Sequence, residues 1–168
     1  MYKYVQSMAP IIDERSEILI LGSMPGEQSL QKQEYYGNPR NHFWPILYAH
    51  YQHRPCETYE EKKAFLLEHQ LALWDSAEVC KRKGSSDNTI TEVVPNDICR
   101  LLQEYPGVRL ILLNGAAAER IFLKYIRERG GIVVRYERVP STSPIPGRNV
   151  PNFEEKLETW SRRIHSIR

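Results

Sequence analysis

Residues 17–44 read EILILGSMPGEQSLQKQEYYGNPRNHFW. Four consecutive aliphatic residues, Ile18-Leu19-Ile20-Leu21, run into Gly22. An unbroken apolar run of that length, ended by glycine, marks a strand covered on both faces, as in a parallel sheet flanked by helices. The chain then turns at Gly22-Ser23-Met24-Pro25-Gly26. A strand that ends in a Gly-rich turn opens a crevice at the carboxyl end of the sheet, where open α/β folds bind ligands. Beyond the turn, residues 23–40 read as a long irregular loop, and loops of that length are usually functional or disordered. The aromatic content around Tyr35 and Tyr36 argues against disorder.

Outward from this stretch, strand and helix patterns alternate. Residues 1–16 read as a lead-in, with an extended conformation as one reading. Residues 41–52 (NHFWPILYAHYQ) predict a helix with Asn41 able to cap it and Pro45 in its first turn, where a missing N–H is harmless. Residues 57–69 predict a second helix with acidic residues early, as the helix dipole favours. Residues 71–80 (LALWDSAEVC) give a short strand and its exit. Lys81–Asn88 (KRKGSSDN) reads as a basic, Gly/Ser-rich turn. A helix begins at Asn96-Asp97 and stops before Pro106. VRLILL (108–113) repeats the buried-strand pattern and ends at Asn114-Gly115. AAAERIFLKYIRERG is a helix closed by Gly130-Gly131. IVVRYERV is a fourth strand, alternating enough to lie near an edge. Pro140–Arg148 is a polar, Pro-rich loop, and a last helix runs from about Asn152 to Ile167. The alternation predicts an α/β fold with a short, mostly parallel sheet. In such a sheet the turns at Ser23-Met24-Pro25-Gly26, Asn114-Gly115 and Ser141-Thr142-Ser143-Pro144 converge on one side.

Length and composition narrow the class. A chain of 168 residues defaults to one domain over 1–168, and 41% apolar with 26% charged residues suits a globular core. The net charge of +2, from 23 basic and 21 acidic residues, excludes a polybasic protein yet leaves room for a local basic face. No apolar run approaches the ~20 residues of a membrane helix, and MYKYVQSMAP lacks a signal-peptide core. We therefore expect no membrane contact, a cytoplasmic location and a monomer. Cys56, Cys80 and Cys99 have no metal-ligand spacing and read as reduced, structural thiols.

The edge where the turns meet carries neutral chemistry. There is no Gly-x-Ser-x-Gly elbow, no phosphate-binding Gly-Lys-Ser/Thr and no GxGxxG. His42 and His53 lack partners at ligand spacing. Amides, hydroxyls, backbone N–H groups and aromatic faces remain. They can orient water, hydrogen-bond a planar heterocycle and stack on it. No cofactor or metal is called for.

GSMPG (22–26), YY-x-x-P-x-N-x-FW (35–44), LWD (73–75), RKGSSD (82–87), LLNG (112–115) and PSTSP (140–144) occur in that order. Together they resemble the uracil-DNA glycosylase superfamily, and within it the hypoxanthine-DNA glycosylase branch. The likeness spans roughly residues 17–148. It implies a three-layer αβα sandwich around a four-stranded parallel sheet. It also implies a monofunctional glycosylase, acting without metal or cofactor. Such an enzyme hydrolyses the N-glycosidic bond of a deaminated base, hypoxanthine first, in double-stranded or single-stranded DNA and leaves an abasic site. The base must leave the stack to be reached, at a cost of a few kcal/mol. Two alternatives stand beside this reading: a uracil or mismatch-thymine enzyme, and a catalytically silent DNA-damage or nucleotide-binding module on the same fold.

The resemblance also assigns roles. Many superfamily members carry Asp or Asn where this chain has Met24; a thioether cannot direct water, and the task passes to Asn41, which is alternatively only a helix cap. Tyr36 stands where relatives stack an aromatic on the flipped base, with core packing as its other reading. Asn114 would hydrogen-bond the base edge, or serve as a turn residue. Ser23 and Met24 would contact the base through backbone N–H groups. Ser141 and Ser143 would press on the DNA backbone, or form an ordinary loop. The family commonly has a small residue and Asn after Pro144. Here Ile145 would wedge into the vacated stack and Arg148 would contact phosphate or the opposite strand. Asp75 reads as a structural carboxylate, and Lys81-Arg82-Lys83 as a solvated turn able to aid DNA binding.

Overall fold

The computed structural model describes all 168 residues. After β1 (Tyr2–Gln6) and β2 (Ile18–Gly22) come α1 (Glu27–Lys32), α2 (Phe43–Tyr51) and α3 (Tyr59–Glu68). Then follow β3 (Leu71–Asp75), β4 (Ala77–Lys83), β5 (Thr91–Pro95), α4 (Ile98–Glu104) and β6 (Leu110–Asn114). The chain ends with α5 (Ala116–Arg129), β7 (Arg135–Val139) and α6 (Phe153–His165). No helix is long and apolar enough to cross a membrane.

The main sheet has the order β3-β2-β6-β7, all parallel. Ile18 pairs with Leu71 on one side and Leu110 on the other, and Leu110 pairs with Arg135. Side chains of period two divide between two cores. Ile18, Ile20, Leu71, Leu73, Leu110 and Leu112 meet Phe43, Leu47, Phe65, Trp160 and Ile164 from α2, α3 and α6. Leu19, Leu21, Ala72, Ile111 and Leu113 meet Ile98, Leu101, Phe122 and Tyr125 from α4 and α5. Three layers result, as the alternation of elements and the family likeness lead one to expect. β7 alternates in sequence because it is an edge strand, with Arg135, Tyr136 and Arg138 exposed.

A second, three-stranded antiparallel sheet, β1-β4-β5, corrects the reading of three stretches. The lead-in is a strand, Tyr2 pairing with Lys83 and Gln6 with Val79. TEVVP (91–95) is a strand that the pattern did not reveal. Lys81-Arg82-Lys83 lies within β4, and strand alternation turns Arg82 inward to 2% exposure while Lys83 stays in solvent. The sheet is small and its strands are partly exposed, so its apolar signal is weak. The expected loop 23–40 holds one short helix, α1, with no side-chain cap. The cap residue of α2 is His42; Asn41 instead accepts a hydrogen bond from Phe43 N–H at 2.9 Å through its Oδ1, fastening the first turn from one residue further out.

The turn from β6 into α5 rests on Gly115, which holds a left-handed φ of +92°. A Cβ there would stand 2.8 Å from Ser141 Cβ. Left-handed backbone and steric overlap both penalise any other residue. Gly115→Ala should lose about 2–4 kcal/mol of unfolding free energy, measured by urea titration.

Candidate functional site

The carboxyl ends of β2, β3 and β6 and the loop after β7 surround a cavity of about 190 Å³. β2 delivers Gly22 to Pro25, β3 delivers Asp75, β6 delivers Asn114, and the loop after β7 delivers Ser141 to Ile145. The segment before α2 adds Tyr35, Tyr36, Asn38 and Asn41, β4 adds Arg82, and the turn between β4 and β5 adds Asp87. Ser23, Met24, Tyr36, Asn41, Asn114, Ser141, Ser143 and Ile145 line this cavity; Lys81 and Lys83 do not, and Arg148 is exposed further along the loop.

Tyr36 is the flat wall. Its ring stacks on the buried Phe43 with centroids 4.1 Å apart and planes at 15°. Phe43 is backed in turn by the edges of Trp44 and Trp160. Tyr36 holds a left-handed φ of 54°, uncommon for a bulky residue, which the stack and its hydrogen bond together sustain. Its hydroxyl accepts from Asn114 Nδ2 at 3.0 Å. Burial, and then the neighbouring Asp75, push the Tyr36 phenol well above its ordinary value. Close approach requires Gly22 at this point. A Cβ on it would stand 2.6 Å from Asp75 Oδ1 and 3.0 Å from the Tyr36 hydroxyl.

Asn114 is engaged differently from the expectation. Its two amide protons go to Tyr36 Oη and to Thr142 Oγ1, each at 3.0 Å, and its Oδ1 accepts from Thr142 N–H at 3.0 Å. In this arrangement it ties three segments together and has no free donor for a base edge. Ser23 is similar, with its hydroxyl donating to Asp87 Oδ1 at 2.8 Å. The Met24 side chain is part of a small core with Ala77, Cys80, Ile90 and Ile121, so this residue meets the cavity chiefly through its backbone. Asn41 commits one lone pair of Oδ1 to Phe43 N–H and lines the cavity beside Tyr36.

The loop after β7 is pinned from outside. Its Thr142 carbonyl accepts from His42 N–H at 2.9 Å. The buried Lys156 of α6 donates to Ser143 O at 3.2 Å and meets His42 Nδ1 at 3.2 Å. Burial and the lysine charge lower the pKa of His42, consistent with a neutral ring accepting that bond. Ser141 Oγ and Ser143 Oγ accept from Ser143 N–H and Ile145 N–H in consecutive tight turns. Ile145 projects at 66% exposure at the rim.

Sequence reasoning missed three charged residues as site components, Arg82, its partner Asp87, and Asp75. Arg82 donates through Nη1 to the carbonyls of Met24 (3.2 Å) and Pro25 (3.3 Å) and through Nη2 to Asp87 (3.3 Å), bracing the Gly22–Gly26 turn from below. No local signal separates it from Lys81 and Lys83; only the strand's inward face does. Asp75, 4% exposed, has a buried Oδ2 with no partner. Its position was legible, because the rule that placed Ser23 and Asn114 at strand ends applies equally to the last residue of β3. Burial, followed by the charge of Asp87, pushes its carboxyl up to about 7, with Arg82 opposing.

The chain resembles known proteins in sequence and in fold. A family model described as the uracil DNA glycosylase superfamily matches residues 9–162. The chain is 40% identical over 153 residues to a Methanosarcina acetivorans protein named hypoxanthine DNA glycosylase, covering 90% of this chain and 94% of that one. A protein of the same name from Methanosarcina barkeri is 37% identical over 111 residues, covering 66% and 70%. A solution NMR structure from Methanosarcina acetivorans, described as a candidate uracil DNA glycosylase, aligns with a TM-score of 0.79 at 32% identity, covering 97% and 99%.

Two outcomes follow from the buried charges. Arg82→Met strands two buried carbonyls and should lose about 2–3 kcal/mol of stability in urea unfolding. A carboxyl whose folded pKa is raised stabilises the fold at low pH and loses that contribution as pH rises. Wild type should therefore lose stability relative to Asp75→Asn between the ordinary value of 3.8 and about 7, read from unfolding curves at several pH values.

Proposed function

The chain belongs to the uracil DNA glycosylase superfamily, and from that membership we propose that it excises hypoxanthine from deoxyinosine in DNA, hydrolysing the N-glycosidic bond to leave an abasic site. The observation that carries the reading is one flat aromatic wall, Tyr36 on Phe43, beside a floor of hydrogen-bonding groups at the sheet's carboxyl edge. The names of two relatives supply the preferred base. Single-stranded or double-stranded DNA is the substrate, and a monomer acts on it.

A base inside a duplex is out of reach, so the target nucleotide swings out at a cost of a few kcal/mol, least for a mispaired base. Stacking on Tyr36 returns ~1–3 kcal/mol. The loop pinned by Lys156 offers Ser141 and Ser143 to the DNA backbone, Ile145 to the vacated stack and Arg148 to a phosphate or the opposite strand. Its rigidity matters here, since a wedge on a mobile loop would lose its leverage.

The bond to N9 then lengthens. Positive charge builds on the sugar and negative charge on the purine. Backbone N–H groups of Ser23 and Met24 face the base, and Asn114 holds Tyr36 and Thr142 in register around it. Asn41 has an uncommitted lone pair and an amide group with which to hold water for addition at C1′. An amide is a poor base, so the reaction relies on a good leaving group.

A nicking assay on duplexes with deoxyinosine, deoxyuridine or xanthine, followed by alkali, tests the assignment. Deoxyinosine should be cut fastest. Faster cutting of deoxyuridine would make the protein a uracil enzyme, and binding without cutting would make it a silent module. Asn41→Ala should lower the single-turnover rate about 10²-fold while duplex affinity changes less than about threefold. An unchanged rate would remove Asn41 from the chemistry.

A further inference from the structure

Beyond the backbone N–H groups of Ser23 and Met24, the leaving base meets few free side-chain donors. Both Asn114 protons and the Ser23 proton are already committed within the protein. The Tyr36 hydroxyl keeps its own proton, but the phenol is a weaker acid here than an ordinary tyrosine. Asn41 keeps a free amide for water, Arg82 keeps a buried Nε without a partner, and one acidic group lining the cavity is likewise uncommitted. Asp75 ends β3 in register with Gly22, its carbonyl is held by Asn96 Nδ2 at 2.8 Å, and its buried Oδ2 has no partner.

We propose that Asp75, as the neutral carboxylic acid, is the hydrogen-bond donor that grips the departing purine and neutralises the charge it carries away. The surroundings decide its protonation state. An ionised carboxylate buried without a donor is costly, whereas the neutral acid is far less so. Asp87, from the turn after β4, adds negative charge from below. Arg82 is the nearby cation, and its two Nη atoms are spent on Met24 O, Pro25 O and Asp87. Tyr35, Tyr36 and Cys80 are the other titratable groups that sense this carboxyl, and burial first of all keeps each of them neutral. Gly22 lets the carboxyl lie against the turn, since any side chain there would collide with Oδ1.

The electron balance follows. The C1′–N9 bond breaks and its electron pair passes to the purine. The Asp75 O–H proton passes along the hydrogen bond to an acceptor atom of the base, so that the base leaves neutral. Water adds at C1′, and the proton it releases restores the acid through solvent. The net reaction consumes one water and yields free base and an abasic site. No oxidant or metal enters.

The proposal rests on the glycosylase reading, and single-turnover release of hypoxanthine from about pH 5.5 to about pH 8.5 separates the two. Wild type should be flat in the acid range and fall about tenfold per pH unit above a break near 7. Asp75→Asn keeps a hydrogen-bond donor that does not titrate and cannot pass its proton on. Its rate should lie between the wild-type acid plateau and that of Asp75→Ala, and the alkaline limb should be lost. Asp75→Ala should fall about 10²-fold throughout. A wild-type rate that rises through pH 7 would make Asp75 a base and overturn the proposal. So would an alkaline limb that persists in Asp75→Asn, or full activity in Asp75→Ala. Where Asp75→Ala does not fold, the profile of Asp75→Asn decides. Wild type inert on deoxyinosine at every pH would sink the function reading itself, a result distinct from an active enzyme whose limb ignores position 75.

Discussion

Strand β2 is hydrogen-bonded on both sides and covered on both faces, and the rest of the molecule is arranged by that constraint. Ile18, Leu19, Ile20 and Leu21 are all fully buried. At about 1.5–3 kcal/mol for each such side chain, this strand is among the largest local contributions to stability. Its parallel register with β3 and β6 aligns the ends of three strands, so Gly22, Asp75 and Asn114 reach the same edge. The cavity is thus a consequence of sheet geometry before it is a consequence of any polar residue.

What fills that edge is a set of groups already hydrogen-bonded to one another. Asn114 joins Tyr36 to Thr142; Thr142 and Lys156 join the last loop to the start of α2; Arg82 joins the first turn to the small sheet. Closed networks of this kind hold their members in place at little entropic cost during the reaction. They also limit what those members can offer a ligand. Asp75 is the exception, a buried carboxyl outside the network, and at a functional site such an unsatisfied group calls for a chemical explanation.

The small antiparallel sheet serves the site from below. β4 leaves the main sheet directly after β3, with Ser76 N–H still bonded to Gly22 O at 2.7 Å. The chain then folds back under the Gly22–Gly26 turn, where Arg82 occupies a place that apolar residues alone would not fill. That arginine satisfies two carbonyls that would otherwise be buried and unpaired.

By itself the sequence determined the order of the main strands and helices, the three converging turns, and nearly all of the residues at the edge. Apolar runs, glycine stops and a string of motifs are local signals, and they survive in one dimension. Tertiary structure decided the rest. It made a strand of the lead-in and of TEVVP, because short strands in a small, part-exposed sheet carry little apolar pattern. It buried Arg82 between a half-buried Lys81 and an exposed Lys83, a distinction set by which face of β4 meets the turn. It spent the protons of Asn114 inside the protein and left Asp75 without a partner, because hydrogen-bond commitment depends on residues far apart in the chain that meet only in the folded state.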